Sequence, residues 1–150
     1  MVMIGPVVWA EDYEVADLEA DFAKADLRII NKTADIPLDT QEKLFSITGE
    51  NIADFGEYWN STDMLYAGTP TVQHLFSGES DLVAAVAFRT GGWGGASLRL
   101  LLARRQSEWF CLYYLPVQER IADSMLFIQN LFPSRNNSKL NCLRKPAPEE

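Results

Sequence analysis

Two segments of the chain carry apolar residues at the spacing of an amphipathic helix. Residues 11–27 place apolar side chains three or four residues apart among acidic ones, at Val15, Leu18, Phe22 and Ala25. Residues 117–132 show the same period just before Pro133, at Ile121, Met125, Ile128 and Phe132. Because residues three and four apart share one face of a helix, both segments are predicted to be helices that bury an apolar stripe.

Between these segments the apolar residues form short runs separated by turn residues. The runs are MLYA (64–67), TVQHLF (71–76), LVAAVAFR (82–89), SLRLLLARR (97–105) and EWFCLYYL (108–115). Their lengths and bounding turn residues are typical of strands. Short connections join antiparallel neighbours, so residues 64–115 are predicted to form an antiparallel meander of about four or five strands. The run from Leu82 to Phe88 is almost wholly apolar, which predicts a central strand covered on both faces.

Residues 40–59 fit two interpretations. Their apolar positions suit the stripe of a helix, whereas the sequence LFSIT (44–48) also suits a short strand, and glycines interrupt either one. If a helix begins here, Asp39 or Thr40 is expected to cap it, because Pro37 favours an extended residue before it.

Helices on both sides of a sheet-forming middle predict an α+β fold. The expected arrangement has two layers, the sheet and its helices, and is similar to that of cystatin-like proteins, although no family motif accompanies it. A chain of this length suits one domain. The expected organisation is a separate segment at 1–10, a globular domain over 11–133 and an irregular polar tail over 134–150.

The net charge of −8 is concentrated in the first part of the chain. Residues 1–60 contain 13 Asp and Glu against 4 Lys and Arg, whereas residues 61–150 contain 8 against 9. Such a field repels nucleic-acid phosphates and anionic membranes and attracts basic partners. The sequence therefore predicts a basic protein partner and no nucleic acid. The plainer interpretation is that the acidic residues only keep the protein soluble.

The first ten residues, MVMIGPVVWA, are apolar and uncharged. Val8 and Ala10 have the small-residue spacing of a signal-peptidase site before Glu11, which predicts a signal-peptide remnant and a periplasmic or secreted protein. A basic region before them is missing, so an apolar edge segment in a cytoplasmic protein is the alternative. No apolar run reaches roughly 18 residues, and no stable membrane insertion is predicted.

The chain has two cysteines, Cys111 and Cys142. In an oxidising compartment they would form a disulfide that ties the C-terminal tail to the sheet across a loop of about thirty residues. On the chain-entropy model, such a link stabilises a protein by about 3–4 kcal/mol. In a reducing compartment Cys111 would be an ordinary buried thiol.

A glycine-rich sequence, RTGGWGGAS (89–97), separates two of the predicted strands. Loops of this kind that bind phosphate lead into a helix, whereas this one leads into a strand, so neither nucleotide binding nor a cofactor is predicted. The glycines suit a hairpin tip. A tryptophan at this tip either folds back onto the sheet or anchors a protein partner. The predicted partner-binding residues are Arg89, Gly92, Trp93 and Gly94.

His74 is the only histidine, so a Ser-His-Asp or Cys-His site would have to use it. The candidate nucleophiles are Ser97 and Cys111, and the candidate orienting acid is Asp63, but no nucleophile-elbow motif surrounds any serine. A hydrogen-bonded strand histidine is the simpler interpretation. One histidine and two distant cysteines lack zinc-site spacing. No catalytic or metal-binding residue is therefore predicted.

Other charged residues carry weaker hypotheses. Glu79 and Asp81 lie in a predicted turn, where capping and solvation are the usual roles of carboxylates, although a carboxylate pair can also hydrolyse glycosides. The arginines at 99, 104 and 105 would either bind an anion or cover a solvated sheet face.

Three functions compete on these grounds. A non-enzymatic protein-binding domain, in its most specific form an exported inhibitor or immunity-type protein that neutralises a basic enzyme, accounts for the acidity and the hairpin tryptophan. A small-molecule binding domain would instead enclose an apolar pocket, although ordinary core packing explains the same aromatic residues. The candidate lining residues are Trp59, Phe76, Phe88, Trp109 and Tyr113. An enzyme whose catalytic residues the sequence does not reveal is the third hypothesis.

Overall fold

Two helices precede a series of longer strands in this protein. The computed structural model describes residues 15–62, 68–91, 97–115 and 140–144. The helices are α1 (Val15–Lys24) and α2 (Leu38–Thr48), and a 3-10 turn (Thr33–Asp35) lies between them. The strands are β1 (Arg28–Ile30), β2 (Ile52–Ala53), β3 (Val72–Glu79), β4 (Val83–Thr90), β5 (Ser97–Arg104), β6 (Trp109–Leu115) and β7 (Leu140–Arg144). Neither of the described helices has the length and apolar composition needed to cross a bilayer.

The strands form one sheet in the order β1-β3-β4-β5-β6-β7, with β2 beside β3. Strands β3 to β6 are consecutive antiparallel neighbours, which confirms the predicted α+β fold with an antiparallel meander. β1 and β2 share one edge of β3. β1 pairs antiparallel with the end of β3, and β2 pairs parallel with its start at Val72.

Both faces of this sheet are covered. Successive residues of a strand point to opposite faces, and the buried residues of β4, β5 and β6 divide accordingly into two clusters. One cluster includes Leu18 and Phe22 of α1, and the other includes Leu44 of α2. The described part therefore has three layers, helix, sheet and helix, where the sequence predicts two. The physical reason is that β4 is buried along most of its length, as predicted for a central strand, and each apolar face needs a cover.

One of the described helices was predicted, and the other lies in the ambiguous region. α1 confirms a helix within residues 11–27. In the ambiguous region 40–59, helix α2 is followed by the two-residue strand β2. Capping by Asp39 or Thr40 was the wrong expectation, because Pro37 is the N-cap residue and makes no side-chain cap bond.

The segment expected to be an irregular tail contributes a strand, which corrects that prediction. β7 pairs antiparallel with β6, and Cys142 lies opposite Cys111 in the register. The segment is polar and rich in proline, so only its pairing with a distant strand reveals it. The predicted strand at 64–67, the predicted helix at 117–132 and the apolar segment at 1–10 lie outside the described residues.

Candidate functional site

The structure describes one of the four residues predicted to bind a partner. Three lie outside the described residues, and they are Gly92, Trp93 and Gly94. Arg89 is half-buried near the end of β4, where its Nη2 donates a hydrogen bond to Oε1 of Gln73 at 2.8 Å. Its guanidinium carbon lies 5.7 Å from the centre of the Trp59 ring. Arg89 therefore makes a cation–π contact with Trp59, and its role as a partner-binding residue stays a prediction.

The loop that ends at Trp59 exposes two other large aromatic side chains. This aromatic loop comprises residues 54–59, with the sequence DFGEYW, and comes directly after β2. Phe55 is 66% exposed and Tyr58 is 78% exposed. Single exposed apolar residues are ordinary on protein surfaces, but two large aromatic side chains on one short turn form a patch suited to a binding partner.

Hydrogen bonds fix the backbone of the aromatic loop at its root. Oδ1 of Asp54 accepts bonds from the backbone N–H and the hydroxyl of Thr33, at 2.9 and 2.8 Å. The N–H of Asp54 donates to Oε1 of Glu57 at 2.8 Å, and the N–H of Glu57 donates to the Asp54 carbonyl at 3.0 Å. Gly56 adopts a φ of 94° within this turn. Because the turn is held in place, a partner would lose little free energy in ordering it.

The chain that leaves the aromatic loop packs on the base of the glycine-rich hairpin. The N–H of Asn60 donates to the Pro70 carbonyl at 2.7 Å, and the N–H of Gly91 donates to the Thr71 carbonyl at 2.8 Å. A Cβ atom on Gly91 would lie 2.5 Å from the carbonyl oxygen of Asn60. The aromatic loop and the hairpin base therefore lie at the same end of the sheet.

Replacing Gly91 with alanine is expected to destabilise the protein by about 1–3 kcal/mol, because the new methyl group meets backbone atoms that cannot rotate away. Urea denaturation measures the change. The control is Gly68→Ala, where a Cβ meets nothing within 4 Å and only the positive φ of 77° opposes alanine. An unchanged stability of Gly91→Ala would contradict the close approach of the two segments.

His74 lies in the core of the sheet. It is fully buried, and its Nε2 is 2.7 Å from Oγ of Ser77. The register of β3 against β4 shifts between His74 and Phe76, so that Leu75 is an extra residue in a β-bulge. The bulge brings His74 and Ser77 to the same face, although residues three apart on a regular strand face opposite ways. Nδ1 of His74 lies 3.8 Å from Oδ1 of Asp54.

This cluster has the composition of a Ser-His-Asp site and includes the predicted histidine, but its serine and its acid are not the predicted ones. Cys111 is disulfide-bonded and belongs to the core cluster on the α1 side of the sheet. Asp63 and the side chain of Ser97 lie outside the described residues. Ser77 is only 2% exposed, so a substrate has no access to its hydroxyl. The geometry favours the interpretation of His74 as a buried, hydrogen-bonded histidine.

Two titratable groups have shifted pKa values, each with a physical cause. Burial lowers the pKa of His74, while the Asp54 carboxylate and the Phe76 backbone oppose this effect without cancelling it. Burial raises the pKa of Asp39, but hydrogen bonds from the Gln106 backbone and from Arg105 outweigh burial and leave the pKa lowered. His74 is therefore neutral and Asp39 is ionised at neutral pH.

A charged network occupies the opposite end of the sheet. Glu79 forms ion pairs with Arg28 and, at 3.0 Å, with Arg105. Arg105 also lies 3.4 Å from Oδ1 of Asp39 on α2. Glu79, a candidate catalytic carboxylate, and Arg105, a candidate anion-binding residue, are thus engaged with each other, and Asp81 is exposed in the neighbouring turn. The network joins helix α2, the two strands β1 and β3, and the turn that follows β5, which is a structural role.

The aromatic residues proposed to line a pocket are divided among different parts of the molecule. Phe76 and Phe88 are buried in the two clusters on opposite faces of the sheet, and Trp109 packs against the cluster that contains Phe76. Trp59 lies under Arg89, and the side chain of Tyr113 is outside the described residues. The structure instead shows an open groove of about 470 Å³ near the charged network. The groove is lined mainly by charged residues, among them Lys24, Asp26, Arg28 and Asp81.

Within the described ranges, no group of three or more His, Cys, Asp or Glu residues is placed to hold a metal ion. No protein-family model matches the chain, and no match is found among curated proteins or solved structures. Function must therefore be inferred from the geometry and charge of the described residues.

Sequence reasoning does not identify Phe55 and Tyr58 as site residues. Helical spacing assigns Phe55 and Trp59 to the apolar stripe of a helix, whereas α2 ends at Thr48. The signal that indicates an exposed turn is the alternation of turn-forming Asp54 and Gly56 with aromatic residues in an acidic segment.

Proposed function

We propose that this chain is a protein-binding domain that docks a basic partner through the aromatic loop and the adjoining base of the glycine-rich hairpin. The observation that carries the proposal is the exposure of Phe55 and Tyr58 on a single turn. Hydrogen bonds with Thr33 and Glu57 hold the backbone of this turn in place. Aromatic side chains are enriched at the centres of protein interfaces, where they supply much of the binding free energy. A turn that is ordered before binding presents them at low entropic cost.

The distribution of charge supports a basic partner. The aromatic loop belongs to residues 1–60, which contain 13 acidic and 4 basic residues, and the loop itself carries Asp54 and Glu57 without any Lys or Arg. A negative field raises the rate at which a basic protein arrives in the correct orientation. A lysine or arginine of that protein would also bind favourably over the faces of Phe55 and Tyr58.

The most specific form of the proposal is an exported inhibitor or immunity-type protein that neutralises a basic enzyme in the periplasm or outside the cell. Cys111 is disulfide-bonded, and the only other cysteine, Cys142, lies opposite it on β7. Disulfides persist in oxidising compartments and are rare in the cytosol. The disulfide therefore supports an exported protein over a cytoplasmic one.

The double substitution Phe55→Ala/Tyr58→Ala is expected to weaken partner binding about 100-fold, because losing two aromatic anchors costs about 3 kcal/mol. The free energy of unfolding is expected to change by no more than about 0.5 kcal/mol, since both side chains are exposed. Photoreactive p-benzoylphenylalanine at position 58 first identifies the partner in lysate and culture fluid of the source organism. Calorimetric titration with the purified partner then measures the affinity of each variant.

Leu82 provides the matched control. It is 48% exposed and lies in the turn between β3 and β4, at the opposite end of the sheet. A basic protein that cross-links from position 58 but not from position 82, and that Leu82→Ala binds normally, would support the proposal. Equal cross-linking from both positions, or full affinity of the double variant, would contradict it.

A further inference from the structure

The root of the aromatic loop lies beside a buried ionisable group. Asp54 begins the loop, and its Oδ1 is 3.8 Å from Nδ1 of the fully buried His74. Nε2 of His74 is hydrogen-bonded to Ser77, whereas Nδ1 has no partner with hydrogen-bond geometry among the described residues. The Phe76 backbone also favours the protonated ring. An N–H···O hydrogen bond spans about 2.7–3.2 Å, so the distance of 3.8 Å between Nδ1 and the carboxylate is too long by about 0.6–1.1 Å.

Asp54 is the charged group that raises the pKa of His74. The uncharged neighbours on adjoining strands are Phe88 on β4, opposite His74, and Ile30 on β1, opposite Ser77. On α2, the buried Lys43 lowers the pKa of Asp39, and its Nζ donates a hydrogen bond to the Asp39 carbonyl at 3.4 Å. Among the described residues, a proton added to His74 would therefore have the Asp54 carboxylate as its counterion.

We propose that protonation of His74 moves Asp54, so that the conformation of the aromatic loop depends on pH. When both ring nitrogens carry hydrogen, the Nδ1–H donor faces the Asp54 carboxylate. Closing the gap to hydrogen-bond distance draws Asp54 toward β3. Because the same oxygen accepts two bonds from Thr33, this movement competes with the contacts that hold the loop at neutral pH. The consequence for partner binding rests on the proposed function.

The proposed movement of Asp54 is expected at acidic pH. Burial lowers the pKa of His74 from its ordinary value of 6.5, against the opposing effects of Asp54 and the Phe76 backbone. The folded protein thus binds this proton less readily than the unfolded chain. The stability that His74 contributes is therefore complete above about pH 6.5 and is lost as the pH falls through its lower, folded-state pKa. The loop is expected to move in this same acidic range.

An NMR titration tests the coupling without a partner. His74 is the only histidine, so its ring signal needs no further assignment. As the pH is lowered from about 7.5 through the lowered pKa of His74, the amide signals of Phe55 to Trp59 are expected to shift with the midpoint of the His74 ring. The amide signal of Leu82, at the other end of the sheet, is expected to stay in place.

Two variants distinguish this coupling from a general sensitivity to acid. His74→Gln is expected to abolish the loop shifts, and Asp54→Asn is expected to reduce them to the size seen at Leu82 while His74 still titrates. Loop shifts that persist in Asp54→Asn, or amide signals that all change together in the unaltered protein, would overturn the proposal. Because no partner enters this experiment, either result leaves the docking surface to be decided by cross-linking from position 58.

Discussion

Replacing Phe88 with alanine is expected to lower the free energy of unfolding by about 3–5 kcal/mol. Phe88 is fully buried on β4, within the cluster that α2 covers. Strands β3 and β5 flank it, and His74 lies opposite it in the register. Removing the ring leaves a cavity whose walls are held by paired strands on both sides, so they cannot collapse to fill it.

Phe55→Ala is the matched control for Phe88→Ala, because the same side chain is removed from an exposed turn. Its effect on stability is expected to stay within about 0.5 kcal/mol. Urea denaturation at neutral pH, with the disulfide intact, measures both variants, and a constant slope shows that the midpoints report stability alone. Similar losses for the two variants would contradict the placement of these side chains.

The meander was predictable because its determinants are local. Each strand from β3 to β6 coincides with an apolar run bounded by turn residues. The short connections between these strands allow only antiparallel pairing. β1, β2 and β7 were not predicted as strands. They are short and carry no periodic signal of their own, and they form because β3 and β6 offer backbone donors and acceptors that need partners.

The placement of the helices was only partly predictable. The apolar stripe of α1 predicts burial, but it does not specify which face of the sheet the helix covers. The nearly continuous apolar run of β4 predicts cover on both faces, and the structure supplies it with α1 on one face and α2 on the other. A two-layer arrangement would leave one of these apolar faces exposed to water.

The candidate site depends on contacts between distant residues, which sequence patterns do not reveal. The glycine-rich sequence predicts a binding surface at one end of the sheet. Asn60 packs on Gly91 and so brings the aromatic loop to that end, but no local sequence pattern indicates this contact. His74 and Ser77 would face opposite ways on a regular strand. Only the β-bulge at Leu75 places them together.

Replacing both Cys111 and Cys142 with alanine is expected to destabilise the protein by about 3–4 kcal/mol. Cys111 is fully buried on β6, and Cys142 lies opposite it on β7, the last strand of the described sheet. The link constrains a loop of about thirty residues in the unfolded chain, and on the chain-entropy model this constraint is the main source of stability. Thermal and urea denaturation with and without a reducing agent measure the effect.

The reducing agent is expected to bring the unaltered protein down to the stability of the double variant and to leave the variant unchanged. A domain of this size is stable by only about 5–15 kcal/mol, so the loss is a large part of the total. The folded state, and with it the presented aromatic loop, would then depend on an oxidising environment. If reduction leaves the unaltered protein as stable as before, the disulfide no longer supports export, whereas a loss of the expected size makes an extracytoplasmic partner the first one to seek.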